Sequence, residues 1–86
     1  MFSGEEEHVR MRFDNQLVGA VLDRLGRDSI LIPSGGSHFT VIADVVVNPQ
    51  FFAWICDFRN LAQIIWPDDL VQKMREHVAD VMAMYQ

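Results

Sequence analysis

The run HFTVIADVVVNPQFFAWICDF, residues 38–58, limits the fold more than any other stretch of the chain. From His38 to Val47 the side chains alternate. Phe39, Val41, Ala43, Val45 and Val47 point one way, and His38, Thr40, Ile42, Asp44 and Val46 point the other. A side-chain period of two is that of a β-strand. The alternation stops at Asn48-Pro49. Asn is a good N-cap because its side-chain oxygen accepts a helix-start N–H, and Pro suits the first helical position, whose N–H has no partner anyway. A helix to about Phe58 follows. One long strand therefore runs straight into a helix, and the strand must find sheet partners within 86 residues, a length for one domain.

The partners are legible on both sides. His8 to Phe13 alternates with Val9, Met11 and Phe13 on one face. Asp14 or Asn15 caps a helix over residues 15–25, in which Leu17, Val18, Val21, Leu22 and Leu25 share a stripe and Gly26 suits the C-terminal turn. Ser29 to Pro33 is a short strand, and Ser34-Gly35-Gly36-Ser37 is the turn joining it to the long one. Residues 62–66, AQIIW, are a fourth strand. Pro67 opens a last helix, with Asp68 and Asp69 near its positive end. Leu70, Val71, Met74, Val78, Val81, Met82 and Tyr85 keep helical spacing along it.

The order is β-α-β-β-α-β plus a terminal helix. That is an α+β, ferredoxin-like pattern, an antiparallel sheet with helices on one face and the other face open. Residues 1–7 read as a flexible acidic lead-in, and residues 8–86 as the single domain. If Ile30, Ile32 and Ile64 join Val9, Met11, Phe13, Phe39, Val41 and Val45 under the helices, the open face carries His8, Arg10, Arg12, Leu31, Thr40, Ile42, Asp44, Val46 and Ile65. A face that mixes apolar and charged side chains in this way reads as a protein interface.

Charge and cysteine content narrow the function classes. The net charge is −5, with acids and bases mixed along the chain and no basic run, which argues against direct DNA or RNA binding. The one cysteine, Cys56, makes neither an internal disulfide nor a multi-thiolate metal site and reads as a small buried apolar residue. A reducing, cytoplasmic setting is expected. MFSGEEEHVR has no apolar run of a signal peptide, and no stretch is long enough to span a membrane. His8, His38 and His77 lie on three elements, so no metal site or cofactor is expected. No glycine-rich phosphate loop or Ser/His/Asp set stands out, and no catalytic residue is assigned.

FFAWICDFRNLAQIIWP, residues 51–67, holds three Phe and two Trp. Phe52, Ile55 and Phe58 read as core. Trp54, partly off that stripe, covers a helix end or meets a partner, and Trp66 packs on the last helix. Arg10 and Arg12 either clamp an oxyanion or form a solvated face with one of them paired to Asp44.

Taken together, VRMRFD, VLDRLGRD, FTVIADVVVNPQFFAWICDF, AQIIWPDDLVQKM and Tyr85 resemble the C-terminal extension, called WCX, of bacterial WYL-domain transcriptional regulators (DeoR-like, with an N-terminal helix-turn-helix). The resemblance covers about residues 8–85. It departs where the family closes its second helix with Phe-Gly, since Phe58-Arg59 stands there, and where Leu25-Gly26 replaces Phe-Gly at the end of the first. It implies a non-catalytic domain that contributes to dimer assembly and effector response, with a second copy and the WYL and helix-turn-helix domains as partners. The residues expected to face a partner or ligand are Arg10, Arg12, Leu31, Ile42, Asp44, Trp54 and Ile65. The alternative is a free-standing small-molecule sensor of ferredoxin-like fold, with its ligand at the sheet–helix edge near the Ser34–Ser37 turn. An acylphosphatase-like enzyme would need an anion-cradling loop after the first strand, where Phe13-Asp14-Asn15-Gln16 is acidic and lacks glycine.

Overall fold

The computed structural model describes residues 6–26 and 29–86. The protein is α+β. Strands β1 (Glu6–Asp14), β2 (Ile30–Ser34), β3 (His38–Val46) and β4 (Ala62–Trp66) alternate with helices α1 (Val18–Leu25), α2 (Pro49–Asp57) and α3 (Asp68–Ala83). The chain order is β1-α1-β2-β3-α2-β4-α3, with single 3₁₀ turns at Asn15–Leu17 and Arg59–Leu61. The four strands form one sheet in the order β2-β3-β1-β4, and every neighbouring pair is antiparallel.

The core lies on one face of this sheet. Val9, Met11 and Phe13 of the central β1 have no accessible surface. Phe39, Val41, Ala43 and Val45 of β3 and Ile64 of β4 are buried beside them. Val21 of α1, Phe51 and Ile55 of α2 and Leu70 of α3 complete the same cluster, so all three helices contribute to it. Burying such a side chain fully is worth roughly 1.5–3 kcal/mol. That is why the period-two and period-3.6 patterns converge on one layer.

Strand β1 begins earlier than the alternation suggests. Glu6 and Glu7 belong to it, paired with Val46 and Val45, and are not part of a lead-in. Backbone pairing with the long β3 extends past the last apolar side chain, which the hydrophobic pattern cannot register. Residues 1–5 of the expected lead-in lie outside the described residues.

Strand β2 corrects the facing of three residues. Leu31 is half-buried against the core, whereas Ile30 and Ile32 are exposed, at 56% and 46%. The hairpin decides this. Ser34 pairs with His38, which sets Leu31 opposite Val41 and Pro33 opposite Phe39. Directly opposed residues of an antiparallel pair share a face, so Leu31 must follow Val41 inward. The Ile-Leu-Ile run has no polar member to mark its phase. Gly35 takes φ +71° in the connecting turn. That turn is docked by the Asn15 N–H, which donates to the Ser37 carbonyl at 3.0 Å.

The helix ends follow their local chemistry. Asn48 caps α2, its Oδ1 accepting from the Phe51 N–H at 2.9 Å. Asn48→Ala is expected to cost about 1 kcal/mol, read as a fall in melting temperature of about 4–8 °C for a domain of this size; an unchanged melt would mean the helix start is held by packing alone. Gly26 closes α1 at φ 73°, ψ −171°, a region that only glycine reaches readily. Just after α2, Arg59 takes φ 58°, a left-handed conformation that glycine adopts without strain. Left-handed backbone costs a non-glycine residue about 1–2 kcal/mol. Arg59→Gly is therefore expected to raise stability by about 0.5–1 kcal/mol, after the glycine's greater unfolded-state freedom is subtracted. A lower melting temperature would show instead that the Arg59 side chain holds the turn.

Candidate functional site

The open face of the sheet is built by the side chains that alternate away from the core. Along β1 these are His8, Arg10 and Arg12; along β3 they are Thr40, Ile42, Asp44 and Val46. Ile30 and Ile32 of β2 flank them on one side. Ile65 flanks them on the other, beside Arg10 at a register shift between β1 and β4. Arg10 pairs with Trp66 across that shift, and the Arg10 guanidinium carbon lies 5.3 Å from the Trp66 ring centre. A guanidinium over an indole face is attracted by the ring quadrupole. Trp66 thus stands on the open face against Arg10 and is exposed, in contrast to the expected packing on the last helix. Ile30, Ile32, Val46, Ile65 and Trp66 are all exposed. An aliphatic and aromatic surface therefore surrounds a charged centre.

In that centre Asp44 is paired to His8, not to either arginine. The His8 Nδ1 to Asp44 Oδ1 distance is 2.8 Å, between residues directly opposed in register. Both side chains are more than half exposed. Exposed pairs of this kind contribute about 0.2–1 kcal/mol, so this one orients the centre more than it stabilises the fold.

Five of the seven residues expected to face a partner or ligand lie on this open face: Arg10, Arg12, Ile42, Asp44 and Ile65. The other two do not. Leu31 lies on the core side for the register reason given above. Trp54 is half-buried on the helix side, where its ring centre is 5.8 Å from Phe13, 6.4 Å from Phe51 and 5.3 Å from Phe58. Arg24 of α1 covers it, with the guanidinium carbon 5.6 Å from the ring centre. Phe51 and Ile55 are the buried residues of α2, and Phe52 and Phe58 pack half-buried beside them.

Cys56 is exposed, not buried. It sits one residue past Ile55, about 100° around the helix from the buried stripe, and its Sγ lies 4.0 Å from the Met74 Sδ. The three histidines do not converge. His8 meets Asp44, His38 meets the Ser37 hydroxyl at 2.8 Å, and the His77 ring lies 5.2 Å from Phe52. Among the described residues no three His, Cys, Asp or Glu side chains are grouped to hold a metal. No helix there is long and apolar enough to cross a membrane.

At the β1–α1 junction the Asp14 carboxylate accepts from the Gln16 N–H at 3.0 Å. This hydrogen bond, the largest cause, holds the Asp14 carboxyl below its ordinary range. A lowered folded-state pKa means stability that is present above the unfolded value and lost as pH falls through the folded one. The Asp14 contribution is therefore expected to fade only on the acid side of the ordinary carboxylate range, and a pH series of melting curves for Asp14→Asn against the parent should converge there. The same bond occupies the N–H that an incoming anion would need.

A scan against protein-family models, a search of curated proteins and a search of solved structures each return no match to this chain.

Proposed function

We propose that this chain is a non-catalytic regulatory and assembly domain, a C-terminal extension of a WYL-type bacterial transcriptional regulator working in the cytoplasm. Its partners are a second copy of itself and the WYL and helix-turn-helix domains of the same regulator, and the DNA contacts belong to the latter. The observation that carries the reading is the open sheet face, where Ile30, Ile32, Val46, Ile65 and Trp66 stand exposed around Arg10, Arg12 and the His8–Asp44 pair. Exposed apolar side chains on both flanks of a charged centre make a surface that a protein partner can cover, burying the flanks and meeting the centre with complementary charge. The β2-β3-β1-β4 order, with all neighbours antiparallel, supports reading the fold as ferredoxin-like with an added C-terminal helix. The closed β1–α1 junction supports the non-catalytic part. Sedimentation velocity over a wide concentration range is expected to show a dimer that dissociates on dilution. Monomer alone at the highest concentration would remove self-assembly from the reading. The regulator part is tested separately, by deleting this domain from the full regulator and following effector-dependent operator occupancy; an unaltered response would sink it.

A second reading, a small-molecule sensor, draws on one observation. A cleft of about 420 Å³ opens beside the hairpin turn, lined by Val18, Leu31, Pro33, His38 and Phe39 among others. A thermal-shift screen against metabolites and nucleotides tests it, and uniformly flat results would count against it.

A further inference from the structure

A different cleft lies between α2, β4 and α3. It has a volume of about 210 Å³ and is mostly apolar. Ile55 and Ile64, both buried, and Val71 and Met74, both half-buried, contribute its apolar surface. Two arginines line it as well, Arg59 just after α2 and Arg75 on α3. Neither has a carboxylate partner or a side-chain hydrogen bond among the described residues, although the chain carries twelve acidic side chains against seven basic ones. Arg59 also occupies a left-handed position, φ 58°, which a glycine would fill without strain. A long cationic side chain is thus held at a conformational cost beside an apolar hollow. Strained backbone of this kind points toward a role for the residue that bears it.

We propose that this cleft binds a small apolar monocarboxylate. Its apolar lining asks for a hydrocarbon or aryl body, which gains by leaving water. The unpaired guanidinium groups ask for one anionic head, and their planar fork matches a carboxylate bidentately. Sites for drug-sized ligands run to roughly 300–1,000 Å³, so this smaller hollow suits an acid the size of benzoate or hexanoate. The inference does not rest on the assembly reading, since the cleft opens on the helix side of the sheet and the proposed interface on the other.

The test is a methyl and amide NMR titration of the whole chain with benzoate and hexanoate, with neutral benzamide as the control. Saturable shifts at Ile55, Ile64, Val71 and Met74 are expected at millimolar acid, with benzamide weaker by about tenfold or more. Arg59→Gly and Arg75→Gln are each expected to weaken benzoate binding by about tenfold. Arg75→Gln, at an exposed helical position on the cleft, carries the test alone if Arg59→Gly disturbs the turn. Cys56 on the same wall supplies a second readout: benzoate should slow its alkylation by N-ethylmaleimide in the parent protein and not in a variant that combines Arg59→Gly with Arg75→Gln. Equal affinity for benzamide, undiminished benzoate binding in Arg75→Gln, or no saturable shift would each overturn the proposal.

Discussion

Phe13→Ala is expected to remove about 3–5 kcal/mol of stability, the cost of emptying a large, fully packed aromatic site. Phe13 has no accessible surface, and its ring centre lies 5.7 Å from Phe39, 5.8 Å from Trp54 and 6.2 Å from Phe58. It joins the central strand to β3 and to the aromatic side of α2. Marginal stability of about 0.05–0.15 kcal/mol per residue is general for native domains. For a chain of this length the total is about 4–13 kcal/mol, so the loss takes up nearly all of it at the lower end, and there a large unfolded fraction at 25 °C is expected. Urea titration followed by circular dichroism measures it. Phe13→Leu, which keeps most of the volume, should cost less than half as much. A Phe13→Ala protein with a melting temperature within a few degrees of the parent would show that the Phe39, Trp54 and Phe58 rings collapse over the void, and that Phe13 is not the joint of the core.

The second large effect concerns association. Ile32→Glu combined with Ile65→Glu places a charge on each flank of the open face, at residues already exposed. Surface changes of this kind usually alter monomer stability by no more than about 0.5 kcal/mol. Burying two unpaired carboxylates in an interface is costly, so the dimer dissociation constant is expected to rise by about a hundredfold or more. Sedimentation measures the association and thermal melting the monomer. If the dimer survives both charges, the contact lies elsewhere, and the first place to look is the end of α3. There Val78, Val81, Met82 and Tyr85 extend the apolar stripe of Leu70, Val71 and Met74 beyond the core and are exposed.

The elements whose patterns are long or sharply punctuated stood out in the sequence. Strand β3 alternates over its whole length and ends at an Asn-Pro signal, and the structure caps α2 with Asn48 through the expected side-chain acceptor. Strand β4 spans Ala62–Trp66, as the short apolar run before Pro67 indicates. Nothing in the Phe58-Arg59 step by itself signals a left-handed residue, and Arg59 takes φ 58° there. Short or one-sided signals were less legible. The aromatic neighbours of Cys56 point to the interior, but one helical step separates it from the buried stripe and it is exposed. The position of Trp66 just before the last helix points to packing on α3, but it pairs with Arg10 beside a register shift that no local pattern encodes. Of the candidate site, the charged positions of β1 and β3 were legible because their alternation is unbroken. The pairing of Asp44 with His8 was not, because it depends on which residues oppose each other across two strands far apart in the chain.

The kinds of elements and their order were legible along the chain, with most ends within a residue or two, because periodicity, caps and turn residues act within a few positions of one another. So was the sharing of one core by Val9, Met11, Phe13, Phe39, Val41 and Val45. The facing of β2, the partners of Arg10 and Asp44, and the Arg59–Arg75 cleft came with the assembled fold. Each depends on register or on the meeting of distant elements, and a one-residue slip in register reverses every side chain of a strand. Ile30 and Ile32 belong to the open face because Ser34 pairs with His38.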